Sequence, residues 1–148
     1  MRGTYCLDSS VLVKLLVPEE GSDEAAALVK RIISTGCRLI APAFAWAEVG
    51  TVLRKKVKSG LISESEAEET WARFVSLSID YVEDASIPQM AWRICTKFDL
   101  PTMYDAAFLA VSEKAAEDSQ SVVEFWTADR ELVESLGRLV PPYVRLLN

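Results

Sequence analysis

The feature that most constrains this chain is the alternation of short apolar segments with longer segments of helical pattern. The short segments have the length and residue types of buried strands, and they predict strands over residues 4–7, 38–41, 77–82, 122–126 and 143–147. Between them, residue patterns predict helices over residues 9–17, 22–36, 43–59, 63–75, 87–98, 104–116 and 128–136. Strands that alternate with helices join through crossovers, so the sequence predicts an α/β fold with a mainly parallel sheet.

Particular residues mark several of the helix ends. Ser22 is predicted to cap the second helix, and Pro42 is predicted to open the third. Ser63 and Glu66 have the spacing of a capping box at the start of the fourth. No linker, repeat or low-complexity stretch interrupts the 148 residues, so we expect a single domain over residues 1–148.

The composition is that of an ordinary folded protein, with 50% hydrophobic and 26% charged residues. No apolar run approaches the roughly 20 residues that span a bilayer. The amino-terminal segment also lacks the apolar core of a signal peptide. We therefore expect no membrane association and a cytoplasmic location.

The sequence contains no histidine. Ser-His-Asp and Cys-His catalysis and histidine-based zinc sites are thereby excluded within this chain. The three cysteines, Cys6, Cys37 and Cys95, are odd in number and widely spaced, so we interpret them as small core residues rather than a disulfide framework. Any chemistry must come from carboxylates, hydroxyls, amines or a bound ion.

Two carboxylates follow predicted strands. Asp8 comes directly after the first strand, and Asp129 comes three residues after the fourth. Ligands of open parallel sheets bind outside the carboxyl ends of the strands, which is where both acids are expected. Each also has a purely structural interpretation, because an aspartate in this place can cap or electrostatically favour the helix that follows.

Two further carboxylates lie on predicted helices beside apolar residues. Glu48 borders an apolar helix face, and Asp105 lies at the start of a strongly apolar helix. A surface position for Glu48 and helix capping for Asp105 are the structural alternatives. If all four acids converge, two carboxylates about 5 Å apart repel by about 3 kcal/mol at an effective dielectric near 20. A divalent cation removes that repulsion, and oxygen-only ligands suit Mg²⁺ or Mn²⁺.

Four segments carry these acids: residues 7–12 (LDSSVL), 47–49 (AEV), 104–110 (YDAAFLA) and 127–130 (TADR). In order and spacing they resemble the motifs of PIN domains, and most closely those of the VapC type, the toxin half of prokaryotic toxin–antitoxin pairs. The resemblance covers essentially the whole chain. It implies a three-layer, Rossmann-like α/β/α sandwich and Mg²⁺- or Mn²⁺-dependent endoribonuclease activity.

By the family pattern, Asp8 and Asp105 would bind metal directly, whereas Glu48 and Asp129 would complete the site directly or through water. The resemblance also implies supporting roles for two hydroxyl groups. Ser10 would help to hold Asp8 or the phosphate, and Thr127 matches a hydroxyl position beside the fourth acid. The expected partners are an RNA substrate, a small antitoxin that occupies the cleft, and a second copy of the chain in a homodimer.

The net charge of −6 is unusual for a protein that binds nucleic acid. The basic run over residues 54–58 either guides phosphate or simply favours a helix terminus. A non-catalytic interaction module with the same fold is the alternative function, although clustered acids would serve no purpose in it. A phosphatase with Asp8 as nucleophile is a third hypothesis, but it would require an aspartate where this chain has Ser10.

Overall fold

A parallel sheet forms the centre of the molecule in a computed structural model that describes residues 2–148. The strand order is β3-β2-β1-β4-β5, and all neighbouring strands are parallel. The strands are β1 (Thr4–Leu7), β2 (Arg38–Pro42), β3 (Asp80–Val82), β4 (Val123–Thr127) and β5 (Val144–Leu146). The predicted parallel α/β fold is confirmed.

Seven α-helices of the described residues cover the sheet. They are α1 (Ser9–Leu16), α2 (Ser22–Ser34), α3 (Ala45–Lys58), α4 (Glu64–Val75), α5 (Ile87–Phe98), α6 (Met103–Asp118) and α7 (Arg130–Leu136). Within residues 2–148, no helix is both long enough and apolar enough to cross a membrane.

Two hydrophobic cores lie on opposite faces of the sheet and make the molecule a three-layer sandwich. Neighbouring strand residues point to opposite faces, so Cys6 belongs to one core and Leu7 to the other. The Cys6 core contains residues of α5, α6 and α7, with Phe108 and Phe125 among its fully buried side chains. The Leu7 core contains residues of α1, α2, α3 and α4.

The order in which the chain adds strands to the sheet changes direction at β1. It passes from β1 outward through β2 to β3, and then returns to place β4 on the other side of β1. At such a switch point the connections leave the two central strands in opposite directions and open a crevice at their carboxyl ends. In this sheet the crevice lies between the carboxyl ends of β1 and β4, where Leu7 pairs with Trp126.

Most predicted bounds are shifted by one or two residues, and β3 begins at Asp80 rather than at residue 77. The residues that mark two helix starts also differ from the prediction. Pro42 does not open α3 but ends β2, where it pairs with Val82, and proline is tolerated there because a strand end need not donate its ladder hydrogen bond. Ser22 does not cap α2. Gly21 occupies that position with a φ of 89°, and the Ser22 hydroxyl instead accepts from the Glu19 N–H at 2.9 Å.

Other local predictions are confirmed. Ser63 and Glu66 form the predicted capping box at the start of α4, and α5 has the predicted bounds. Cys6 is fully buried, as expected, whereas Cys37 and Cys95 are only half-buried and do not form disulfides.

Candidate active site

Asp8 is the most buried acid of the predicted site, with a relative exposure of 4%. It stands at the N-cap position of α1, but its side chain makes no capping hydrogen bond. Its Oδ2 atom instead accepts from the Ser10 and Thr127 hydroxyls, each at 2.8 Å. The predicted side-chain capping hydrogen bond of Asp8 is therefore absent, although its charge lies at the start of α1. Both predicted supporting hydroxyls contact this carboxylate.

The two hydroxyl groups are themselves held by the backbone that follows β4. The Ala128 N–H donates to Ser10 Oγ and the Asp129 N–H donates to Thr127 Oγ1, each at 3.0 Å. Because each hydroxyl oxygen accepts from the backbone, its own proton is directed at Asp8. The arrangement favours an ionised Asp8 and fixes it to the end of β4.

The pKa of Asp8 nevertheless lies above its usual value. Burial is the largest cause, and hydrogen bonds from Thr127 and then Ser10 oppose it, whereas the charge of Asp129 adds to it. Ionisation of a buried carboxyl group costs free energy, and a nearby cation would offset that cost.

Glu48 lies in the first turn of α3 and carries an unpartnered polar atom. Its Oε1 is buried, and no hydrogen-bond partner for it is found among the described residues. The pKa of Glu48 rises to about 7, first because of burial and then because of the charges of Asp8 and Asp105. Glu48 is thus not the freely exposed side chain of the surface interpretation, and it lies close enough to Asp8 and Asp105 for their charges to raise its pKa.

Asp105 lies in the first turn of α6, but another residue caps that helix. Thr102 occupies the N-cap position, and its hydroxyl accepts from the Asp105 N–H at 3.4 Å. The pKa of Asp105 rises to about 6 through burial and the charges of Asp8 and Asp129, against the opposing hydrogen bond with Thr102. The role of Thr102 was missed in the sequence, although a threonine three residues before Asp105 is an N-cap signal.

Asp129 combines the two interpretations made for it. Its Oδ1 accepts from the Leu132 N–H at 3.2 Å, so it does cap α7. Its charge also contributes to the raised pKa of both Asp8 and Asp105. Capping holds this carboxylate at the carboxyl end of β4, beside the other acids.

The donor set suits a hard divalent cation. All four groups are carboxylates, and the buried Oε1 of Glu48 has an unused acceptor. No three His, Cys, Asp or Glu side chains of residues 2–148 are arranged to share one ion. Nearby negative charges raise the pKa of Asp8, Glu48 and Asp105, although these side chains are not gathered around a single point.

Two basic side chains that could have contacted a phosphate, Lys14 on α1 and Arg54 in the basic run, are paired with other groups. Lys14 Nζ lies 3.5 Å from a Glu19 carboxylate oxygen and donates to the Glu20 carbonyl at 2.6 Å. In the basic run, Arg54 forms a two-bond pair with Glu64 at 2.7 and 3.0 Å. Neither side chain is directed at the acids.

These features define a class: an α/β/α sandwich with an all-carboxylate site at the switch point of its parallel sheet. The sequence profile of the PIN domain family matches residues 5–137. The chain belongs to the PIN domain family. The resemblance seen in the four acidic segments is confirmed.

Known proteins agree with this assignment. The chain is 33% identical over 140 residues to ribonuclease VapC3 of Pyrobaculum aerophilum, a match that covers 92% of this chain and 97% of the relative. The fold is similar to VapBC2 of Rickettsia felis, solved on a DNA fragment from its promoter, with a TM-score of 0.68, 11% identity, and 98% and 99% of the two chains covered. It is also similar to Mycobacterium tuberculosis VapC20, a toxin that cleaves the sarcin–ricin loop, with a TM-score of 0.61, 18% identity and coverages of 88% and 94%.

The hydroxyl support of Asp8 can be tested by Thr127→Val. The change keeps the buried shape but removes the donor to Asp8 and the acceptor for the Asp129 N–H, and we expect a loss of about 2 kcal/mol in the free energy of unfolding. For a chain of this size the melting temperature should fall by about 4–8 °C. Thr127→Ser keeps the hydroxyl and should lose much less. A valine variant as stable as the wild type would contradict the described network.

The raised pKa of Glu48 makes a separate prediction for the metal-free protein. A carboxyl group whose pKa is higher in the folded than in the unfolded state contributes stability that is complete below its unfolded pKa and is lost as the pH rises through its folded pKa. For Glu48 that loss falls between about 4.5 and about 7. In EDTA, Glu48→Gln should therefore be more stable than the wild type at pH 8, by about 1 kcal/mol after solvent screening, and nearly equal to it at pH 4.5.

The measurement for Glu48→Gln is the melting temperature as a function of pH. A gain of about 2–4 °C at pH 8 is expected. Glu69→Gln, an exposed position on α4, is the matched control and should show no gain that depends on pH. Destabilisation of Glu48→Gln at pH 8 would show that the ionised Glu48 is favourably bound in the metal-free fold.

Proposed function

We propose that this chain is a divalent-metal-dependent endoribonuclease of the VapC type. The observation that carries the proposal is the buried, unpartnered Oε1 of Glu48. Burial, and then the charges of Asp8 and Asp105, raise the pKa of this carboxyl group. An acceptor left in this state costs free energy unless a cation or donor meets it. The support from relatives is the match along nearly the full length to a VapC ribonuclease.

The residues that would hold Mg²⁺ or Mn²⁺ follow from this arrangement. Asp8 and Asp105 would bind metal directly, and Glu48 and Asp129 would do so directly or through water. When bound, such ions lower the pKa of water and stabilise charge on a phosphodiester in an in-line displacement. The water oxygen forms the new bond to phosphorus as the bond to the departing ribose oxygen breaks.

The protein's own groups prepare this reaction. The Ser10 and Thr127 hydroxyls hold Asp8 Oδ2 in one orientation, so the most buried acid of the site is positioned before substrate arrives. Capping hydrogen bonds likewise fix the backbone of the first turn of α6 and the orientation of the Asp129 carboxylate. The pKa of Glu48 is about 7 without a bound cation, and a cation beside this carboxylate would lower that pKa and keep the group ionised as a ligand.

Two other functions fit the structure less well. A purely interacting module would have no use for a raised-pKa carboxylate cluster, whose repulsion lowers stability. A phosphatase with Asp8 as nucleophile would need a second acid at position 10, but the Ser10 hydroxyl donates to Asp8 there.

The proposed partners are an RNA substrate, an antitoxin and a second copy of the chain, with the cytoplasm as the proposed location. The antitoxin is supported by the likeness to a VapBC protein. A groove of about 580 Å³ between α3 and α4 supplies a surface for it, lined by Trp46 and Trp71 and by the cations Lys55 and Lys58, whereas Arg54 in the same lining is paired with Glu64. An apolar groove rimmed by cations suits an amphipathic segment with acidic residues.

Metal binding and RNA cleavage test the enzymatic proposal together. Millimolar Mg²⁺ or Mn²⁺ should raise the melting temperature by about 5 °C, because a ligand bound only by the folded state stabilises it. Asp8→Asn should remove most of that shift, and Asp8→Asn and Asp105→Asn should each abolish cleavage of a structured RNA. Glu69→Gln is the control for loss of an acid outside the site. Cleavage that continues unchanged in Asp105→Asn, or a wild type that does not respond to metal, would contradict the proposal.

The antitoxin proposal predicts a short open reading frame beside this gene that encodes a DNA-binding fold and a disordered tail. The two proteins should copurify on coexpression, and the complex should cleave RNA far more slowly than the free chain. Trp46→Ala, at an exposed position in the groove, should weaken the complex about tenfold. Trp92→Ala, at an equally exposed position outside the groove, is the control. Equal affinity of the two variants would exclude the groove as the binding surface.

A further inference from the structure

A second cavity of about 580 Å³ opens at the same edge of the sheet as the acids. Its walls include Pro42 and Val82, which are the last residues of β2 and β3. We call it the β3-edge pocket. Its size is that of a small-molecule site, and most of its walls are apolar.

The wall of this pocket is continuous with the candidate active site. Tyr104 lines the pocket and directly precedes Asp105, and Phe44 lines it four residues before Glu48. The two rings contact each other edge to face, with 5.2 Å between their centroids. A group in the pocket would thus lie beside a phosphate held by the acids.

Aromatic and carboxylate groups are both available at the mouth of the pocket. The Tyr104 side chain is 56% exposed and Met103 is 40% exposed, so a flat ligand can stack on them. Glu83 is exposed, and its carboxylate has no hydrogen bond or ion pair with any of residues 2–148. Asp84, in contrast, is held by the Ser86 N–H and hydroxyl at 2.8 and 2.7 Å.

The charge of the lining selects among ligands. No lysine or arginine is among the residues lining the pocket, so phosphate and acidic peptides are poor ligands for it. A neutral, flat group that donates N–H bonds to Glu83 is a good one. Guanine presents two adjacent N–H donors on its Watson–Crick edge, which match the two oxygens of one carboxylate. Uracil presents a single N–H between two carbonyl oxygens that a carboxylate repels.

We propose that the β3-edge pocket binds an unpaired guanine base of the RNA next to the cleaved bond, with Tyr104 as the stacking partner and Glu83 as the acceptor. The inference rests on the proposed ribonuclease function and adds a base preference to it. Recognition of splayed bases by aromatic stacking and edge hydrogen bonds is the usual way in which proteins distinguish single-stranded RNA sequences.

Binding of short RNAs to the Asp8→Asn protein tests this proposal without cleavage. Fluorescein-labelled UUGUU, UUIUU and UUAUU are compared by anisotropy in Mg²⁺, where I is inosine, which lacks the exocyclic amino group of guanine. We expect UUGUU to bind about tenfold more tightly than the other two. Adding Glu83→Gln should bring the ratio of UUGUU to UUIUU affinity close to one.

The stacking partner is tested by adding Tyr104→Ala to the same protein. Binding of UUGUU should weaken about tenfold, the loss expected for removal of one base-stacking side chain. Tyr104→Phe keeps the ring and should restore binding, which guards against a variant that merely misfolds. Trp92→Ala, an exposed aromatic on α5 that does not line the pocket, is the matched control and should bind as before.

The outcomes separate this inference from the proposed function. Equal binding of the three RNAs, or UUGUU binding unchanged by both Glu83→Gln and Tyr104→Ala, would overturn the guanine pocket even if the wild type cleaves RNA. Guanine preference that depends on Glu83 in a protein that cleaves no RNA would support the pocket and overturn the nuclease. Loss of self-association in Tyr104→Ala, with unchanged RNA binding, would assign the surface to a dimer contact instead.

Discussion

The buried Asp8 carboxylate is the constraint on which the rest of the site depends. It stands between the carboxyl ends of the two central strands, where burial disfavours its charge and two hydroxyl groups favour it. Those hydroxyls are oriented by backbone N–H groups that follow β4, so the geometry around Asp8 holds only while β1 and β4 keep their register. The fold and the site are therefore not separable: the strand pairing that builds the core also positions the acid.

Repulsion among the carboxylates lowers the stability of the metal-free fold, and the same negative charge would favour a bound cation. Glu48 and Asp105 have raised pKa values because each is buried near other negative charges. Such strain is characteristic of sites whose charges are compensated only when a ligand is present. A net charge of −6 is compatible with phosphate binding at such a site, because the attraction for a phosphate would come from bound cations rather than from a basic surface.

Much of this arrangement was predictable from the sequence, because periodicity and strand-end position are local properties. The parallel sheet, the capping box of α4 and the placement of Asp8 and Asp129 at one edge all follow from short segments read in order. The sequence did not decide whether the acids serve as helix caps or as members of a site. The Thr102 cap of α6 has a local signal that could have been recognised, whereas only tertiary structure shows that Asp8 accepts a hydrogen bond from a hydroxyl 119 positions away. Pro42 was assigned to the wrong element because a proline at a strand end and one at a helix start have the same local signature.

The segment between α6 and β4 lies at the other end of this parallel sheet. A strand that leads to the site at Thr127 must begin at Val123 on the far side, so residues 119–122 face away from the acids. This segment joins the helix that carries Asp105 to the strand that leads to Asp129, at the end of the sheet away from both carboxylates. This turn is accordingly the natural place for the chain to gain or lose length during evolution, or to carry an attached reporter, while the chemistry at the opposite rim stays as it is.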